Sequence, residues 1–273
     1  MYAVGVSGGT YMCRPRGILR KLGEKPVVGD MCLITGGAET GKIEKILDRK
    51  NIILRPAVSN IDAVVAIISA DMLNLPLLDM YLVALEAQQT ENAPYEICVV
   101  INKMDLSDDD KNEITRRAYE NAGYKVIFFS ARSRRGEAEL AGAIRGKTAV
   151  MAGPSGVGKS SVINLLCKRQ AMPVGELSVK SVRGKHTTRH AEMFEYMGGY
   201  IIDTPGFASL NIGDIGRERL KNCFPEFARY AENCRFADCT HVNEPDCAVK
   251  GQVGEGVGAS RYGNYEGFYN AVK

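Results

Sequence analysis

The chain has 273 residues and a mass of 29.8 kDa, more than one core usually organises, so about two domains and room for a small module are expected. Hydrophobic residues at 45% and charged residues at 25% exclude wholesale disorder, no apolar run approaches the ~18–20 residues of a membrane span, and the start lacks a signal-peptide pattern; the expectation is a soluble cytoplasmic protein. The net charge of +3 hides an asymmetry: residues 1–58 hold 10 Lys/Arg against 5 Asp/Glu, which suits either approach to a phosphate backbone or a merely solvated basic face.

Residues 1–58 show short β-like runs, Tyr2-Ala3-Val4, Gly17-Ile18-Leu19, Met31 to Ile34 and Asn51 to Leu54, broken by Gly8-Gly9, Lys25-Pro26 and Gly36-Gly37. Close spacing with Gly/Pro punctuation predicts a small all-β barrel. From residue 59 to 212 the rhythm changes. Ala63 to Ile68 is continuously apolar, as in a buried parallel strand, and Pro76 to Gln89 has helical periodicity. Strands at Ile97 to Ile101, Val126 to Phe129, Thr148 to Ala152 and Tyr200 to Ile202 alternate with helices at Ser107 to Asn121, Ala138 to Ile144 and Ser160 to Lys168. That alternation predicts an α/β domain around a parallel sheet. Residues 213–273 carry a helix-like stretch from Arg217, a Cys/His cluster and a helix from Arg261 to Val272. With no strong core visible there, a structural metal would be useful.

Gly153-Pro154-Ser155-Gly156-Val157-Gly158-Lys159-Ser160 fits the phosphate-loop pattern and lies between a predicted strand and helix, as that pattern requires. Its glycines let backbone N–H groups wrap phosphates at a helix N-terminus. Lys159 would reach the β/γ phosphates and the Ser160 hydroxyl would ligate Mg²⁺.

The base is named by Asn102-Lys103-Met104-Asp105, after the strand ending at Ile101. A buried Asp105 would accept from guanine N1–H and the exocyclic amine, a pair that adenine lacks. The Lys103 stem can cover the base, and Asn102 can tie this loop to the phosphate loop. Ser130-Ala131, after the strand ending at Phe129, resembles the second base-binding loop of GTPases, where a backbone N–H meets guanine O6.

Asp203-Thr204-Pro205-Gly206 ends another strand, with Asp203 holding Mg²⁺ through water and the Gly206 N–H facing the γ-phosphate. Upstream, Gly184 to Arg189 is either a basic solvated loop or one that closes and completes the Mg²⁺ shell, with Thr188 favoured over Thr187. Many GTPases orient the attacking water with Gln directly after D-x-x-G; here that residue is Phe207, which leaves His186 as the local candidate for the catalytic role, or as a residue that only shapes the loop. The base motifs precede the phosphate loop, the order a circular permutation produces.

Cys234, Cys239, His241 and Cys247 offer three thiolates and an imidazole within 14 residues. They suit one structural Zn²⁺ with no open position, with Cys223 as a substitute ligand and packed free cysteines as the plainer reading.

Together the motifs resemble the ribosome-small-subunit-dependent GTPase A family (RsgA/YjeQ type) of circularly permuted bacterial GTPases. The resemblance covers nearly the whole chain: Cys13-Arg14-Pro15-Arg16-Gly17, Val28-Gly29-Asp30, NKMD, GPSGVGKSS through Ser161, GKHTTR, DTPG, the Cys/His run and Ser260-Arg261-Tyr262. It implies an OB-fold over 1–58, a permuted GTPase domain over 59–212 and a mostly helical zinc domain over 213–273. It also implies GTP hydrolysis to GDP during late maturation of the small (30S) subunit, stimulated by that subunit, with 16S rRNA as partner. The chain is expected to be a monomer with no membrane contact. Family members usually carry a β-strand before the segment matching Tyr2, so closure of the barrel is open.

Overall fold

The computed structural model describes residues 1–7, 9–37, 40–167, 191–204 and 212–272. The chain divides once, into compact units Met1–Ile61 and Asp62–Lys273.

In the first unit, β1 (Tyr2–Val6) pairs antiparallel with β2 (Gly9–Pro15), and α1 (Gly17–Lys21) follows. β3 (Cys32–Gly37) pairs antiparallel with β4 (Thr40–Ile46), which runs parallel to β2. The sheet order is β1-β2-β4-β3, so β1 and β3 are its outer strands among the described residues. A hairpin of β5 (Ile52–Leu54) and β6 (Ala57–Ser59) completes the unit. Gly17-Ile18-Leu19 is helical rather than extended. Pro15 ends β2, and one short turn buries Leu19 against Cys13 and Ile43 while Ile18 stays exposed. Asp30 latches the hairpin. It accepts from Arg49 Nε at 2.7 Å, the Ser59 hydroxyl at 2.6 Å and the Val27 N–H at 2.8 Å. Burial would raise this carboxyl, but Arg49 and Ser59 hold it below its usual range. Gly29, at φ +93°, is required beside it, because a Cβ there would meet Ser59 O at 2.1 Å.

The second unit is built on a six-stranded sheet of order β11-β12-β10-β7-β8-β9. In chain order its elements are β7 (Ala63–Ser69), α2 (Leu75–Glu86), β8 (Glu96–Asn102), α3 (Asp109–Asn121), β9 (Lys125–Phe128), α4 (Glu137–Ile144), β10 (Thr148–Ala152), α5 (Lys159–Cys167), β11 (Glu192–Tyr196) and β12 (Gly199–Asp203). All pairings are parallel except β11 with β12. Every residue of β7 is buried, as its unbroken apolar sequence requires. β7, β8 and β10 end at one edge of the sheet, which therefore gathers the loops that follow them.

The C-terminal segment contributes α6 (Arg217–Leu220), α7 (Ala228–Ala231) and α8 (Ala259–Ala271). Contrary to the sequence expectation, it has a core of its own, with Leu220, Phe224, Phe227, Tyr262 and Tyr265 packed together and against Val83 of α2. The aromatic rings are scattered over 42 positions and follow no single period, which concealed this core in the sequence. Arg261, on α8, is 1% exposed and donates from Nη1 to Asp79 of α2 at 2.6 Å and from Nη2 to Glu226 at 3.0 Å. Its guanidinium lies 5.0–5.4 Å from the ring centres of Phe224, Tyr119 and Tyr124. Burial, which would lower the pKa of Arg261, is outweighed by Asp79 and Glu226, so the group stays charged.

Candidate functional site

The phosphate-loop sequence joins β10 to α5. Gly153 (φ +149°) passes so close to β7 that a Cβ would lie 2.2 Å from Ile67 O, and at Gly158 (φ +92°) a Cβ would lie 2.5 Å from Asn102 Nδ2. Both positions therefore demand glycine. Val157 is buried in the sheet core, which anchors the loop; Pro154, Ser160 and Ser161 are half-buried, and Ser155 and Gly156 are exposed. Lys159 Nζ folds back over the loop and donates to Gly153 O at 2.8 Å and Pro154 O at 2.9 Å.

β8 delivers NKMD beside this loop. Asn102 Nδ2 donates to Val157 O at 2.8 Å, joining segments 55 residues apart. Lys103 is left-handed (φ 60°, ψ 35°), which turns the chain so that Asp105 emerges from the sheet edge. Ser130, just after β9, donates its hydroxyl to Asp105 Oδ1 at 2.5 Å and accepts from the Ser133 N–H at 3.1 Å. Ala131 lies half-buried next to it. Asp105 itself is exposed, not buried. It lies at the open end of the site.

On the other side, β12 pairs with β10 so that Asp203 stands opposite Met151, and Thr204 Oγ1 donates to Met151 O at 3.0 Å. Burial lowers the Lys159 ammonium and raises the Asp203 carboxyl, and each group partly offsets the other. Such a pair is poised for added charge: phosphate beside Lys159 and a cation beside Asp203. His186, Thr187, Thr188, Gly206 and Phe207 lie outside the described residues.

The sheet therefore brings Asn102, Lys103, Asp105, Ser130, the phosphate loop and Asp203 to one edge. The sequence reading missed Asp71, whose carboxylate lies 3.3 Å from Lys103 Nζ. Asp71 follows β7 as Lys103 follows β8, and only the strand register reveals the pairing.

A second cluster lies in the C-terminal segment. One ligand atom from each of Cys234, Cys239, His241 and Cys247 falls within 4.8 Å of the others. Cys234 Sγ is 3.6 Å from His241 Nδ1 and 3.9 Å from Cys247 Sγ, and Cys247 Sγ is 3.4 Å from His241 Nδ1. A tetrahedral zinc, with bonds of about 2.3 Å to sulfur and about 2.0–2.1 Å to nitrogen, separates its ligand atoms by about 3.4–3.8 Å, so these donors fit. Burial and the nearby Lys221 keep His241 in its neutral, ligand-competent form. Glu244 accepts from the Thr240 N–H at 2.8 Å, the Thr240 hydroxyl at 2.7 Å and the Val242 N–H at 3.2 Å, clamping the loop on both sides of His241. Cys223 stands outside the group, its thiol bonded to Arg219 O at 3.5 Å and pushed up to about 11 by burial.

Comparison with known proteins gives concordant matches. The RsgA GTPase family matches residues 46–213, and the RsgA N-terminal domain family matches residues 1–41. A small ribosomal subunit biogenesis GTPase RsgA of Agathobacter rectalis is 43% identical over 275 residues, covering 98% of this chain and 89% of that protein. The protein of the same name from Ruminiclostridium cellulolyticum is 42% identical, covering 96% and 87%. Among solved structures, YjeQ from Thermotoga maritima superposes with a TM-score of 0.77 at 38% identity, covering 97% of this chain and 91% of that one. YloQ, a circularly permuted GTPase, gives 0.75 at 32% identity, covering 97% and 87%.

Proposed function

This chain belongs to the RsgA family of GTPases, and on that footing we propose how its residues bind GTP and where its activity is controlled. It is a GTP hydrolase that acts in biogenesis of the small ribosomal subunit, with GTP as substrate, GDP as product and Mg²⁺ as the accompanying ion. The observation that carries the site reading is the pair of bonds that lock the base-reading loop to its neighbours, Asn102 to Val157 and Ser130 to Asp105.

Asp105 reads the guanine edge, with Ser130 fixing its carboxylate and the Ala131 backbone N–H meeting O6. Lys103 covers the base. The backbone of Gly153 to Gly158 wraps the phosphates, joined by Lys159, which exchanges its loop carbonyls for phosphate oxygens. Ser160, Asp203 and Thr188 would hold Mg²⁺, which would neutralise developing phosphate charge. Ser161 continues the first turn of α5, and Gly206 is assigned to the γ-phosphate. Phe207 offers no donor or acceptor to water, so His186 orients the nucleophile, and turnover is slow until the small subunit binds.

Cys234, Cys239, His241 and Cys247 hold one structural Zn²⁺ that braces the C-terminal segment; three thiolates and an imidazole leave no position for substrate. The basic residues Arg14, Arg16, Arg20 and Lys21, all exposed, contact 16S rRNA. The three functional modules are 1–58, 59–212 and 213–273, and the chain works as a cytoplasmic monomer. No described helix is long and apolar enough to cross a membrane.

Asp105→Asn tests the base assignment. The amide donates where the carboxylate could only accept, so preference should move from GTP toward xanthosine triphosphate in competition binding. Unchanged guanine preference would remove Asp105 from the base site.

A further inference from the structure

β7 and β8 run in register to their last pair, Ser69 with Asn102. The 3₁₀ turns that follow, Ala70–Met72 and Met104–Leu106, therefore leave the sheet edge side by side. From the left-handed Lys103 between strand and turn, the ammonium reaches back across to Asp71, at 3.3 Å from Oδ2 and 3.5 Å from Oδ1. Asp71 is held from its other side by the hydroxyl of Ser69, itself 3% exposed. The Ser69 hydrogen bond keeps the Asp71 carboxyl below its usual range, with Lys103 adding to it against the opposing effect of burial. The two partners are 30% and 29% exposed, so the pair faces the opening where Asp105 also emerges.

We propose that Asp71 is a positioning residue for the nucleobase: it tethers the Lys103 ammonium so that the lysine stem lies across the mouth of the base site as a preformed wall. This rests on the reading of Asp105 as the guanine reader. The chemistry favours it for two reasons. An unrestrained lysine carries substantial rotamer entropy, part of which would otherwise be lost when a base stacks on it. An ammonium drawn aside to a carboxylate also presents its apolar methylenes, not its charge, to the ring. The wall touches the base and not the γ-phosphate, so it serves GDP and GTP alike.

A double-mutant cycle on the full chain tests this, with affinity for GDP and for a non-hydrolysable GTP analogue as readout. Asp71→Asn should weaken both nucleotides by the same factor, about two- to fivefold for a part-exposed pair, and should raise KM without lowering kcat. In a Lys103→Ala background, Asp71→Asn should have no further effect. Unchanged affinity, or a loss that persists without Lys103, overturns the proposal. Asp105→Asn run in parallel separates the two levels. If it shifts preference to xanthine nucleotides while Asp71→Asn is silent, the tether alone is wrong; if it does not shift, the guanine reading beneath the tether fails.

Discussion

The charged cluster around Arg261 and the charged edge around Lys159 and Lys103 use the same groups to opposite ends. Arg261, Asp79 and Glu226 are 1%, 0% and 1% exposed, and their charges answer one another across α2, α8 and the segment between α6 and α7. Among the described residues, Lys159 hydrogen-bonds only to carbonyls of its own loop, Asp105 has one oxygen bonded to Ser130 and stands exposed, and Lys103 and Asp71 are about 30% exposed. A closed cluster fixes how segments sit; an open one keeps partners that a ligand can replace or join. The Cys/His group, with Cys239, His241 and Cys247 buried, belongs with the closed kind.

The largest effect expected from this contrast is on stability. Arg261→Met strips the cation from two buried carboxylates and should cost about 3–5 kcal/mol of unfolding free energy, read by denaturant titration. A loss below about 1 kcal/mol would show that the closed cluster is not a fixing element. Next, Cys239→Ser should remove about one equivalent of zinc and speed amide exchange in 213–273, while guanine-nucleotide binding at the open edge largely survives. Full zinc content in that variant would refute the ligand set. The smallest effect belongs to the first unit. Arg16 is paired with Glu44 at 2.5 Å, whereas Arg20 sits in the last turn of α1 and is exposed. Charge reversal at Arg16 and Arg20 should weaken small-subunit binding and flatten its salt dependence by about one unit of log–log slope per lost phosphate contact. An unaltered salt slope would return these arginines to a merely solvated face.

Apart from Asp71, the open edge was legible in the sequence because its parts are contiguous motifs at the ends of apolar strands: NKMD after Ile101, the phosphate loop after Ala152, DTPG after Ile202. The Cys/His group was legible for the same reason, its ligands lying within one short run. The Arg261 cluster was not, since Arg261 and Asp79 stand 182 positions apart and each reads locally as an ordinary surface residue. β2, β4 and β11 were missed because their half-exposed sequences, such as Thr-Gly-Lys-Ile-Glu-Lys-Ile, mix charge and glycine with few apolar positions. Gly17 to Leu19 looked extended because a five-residue helix is too short to show a helical period.

If the open edge binds and hydrolyses GTP under the control of the small ribosomal subunit, phosphate release on GTP and on ATP, with and without small subunits, for the unaltered chain and for His186→Ala should show it. Slow release from GTP, a strong increase on adding subunits, little release from ATP, and loss of the increase in His186→Ala with GTP affinity retained are expected. Equal turnover of ATP, or release from GTP that ignores the subunits, would overturn the GTPase reading of this edge, and stimulated turnover persisting in His186→Ala would remove that histidine from the reaction.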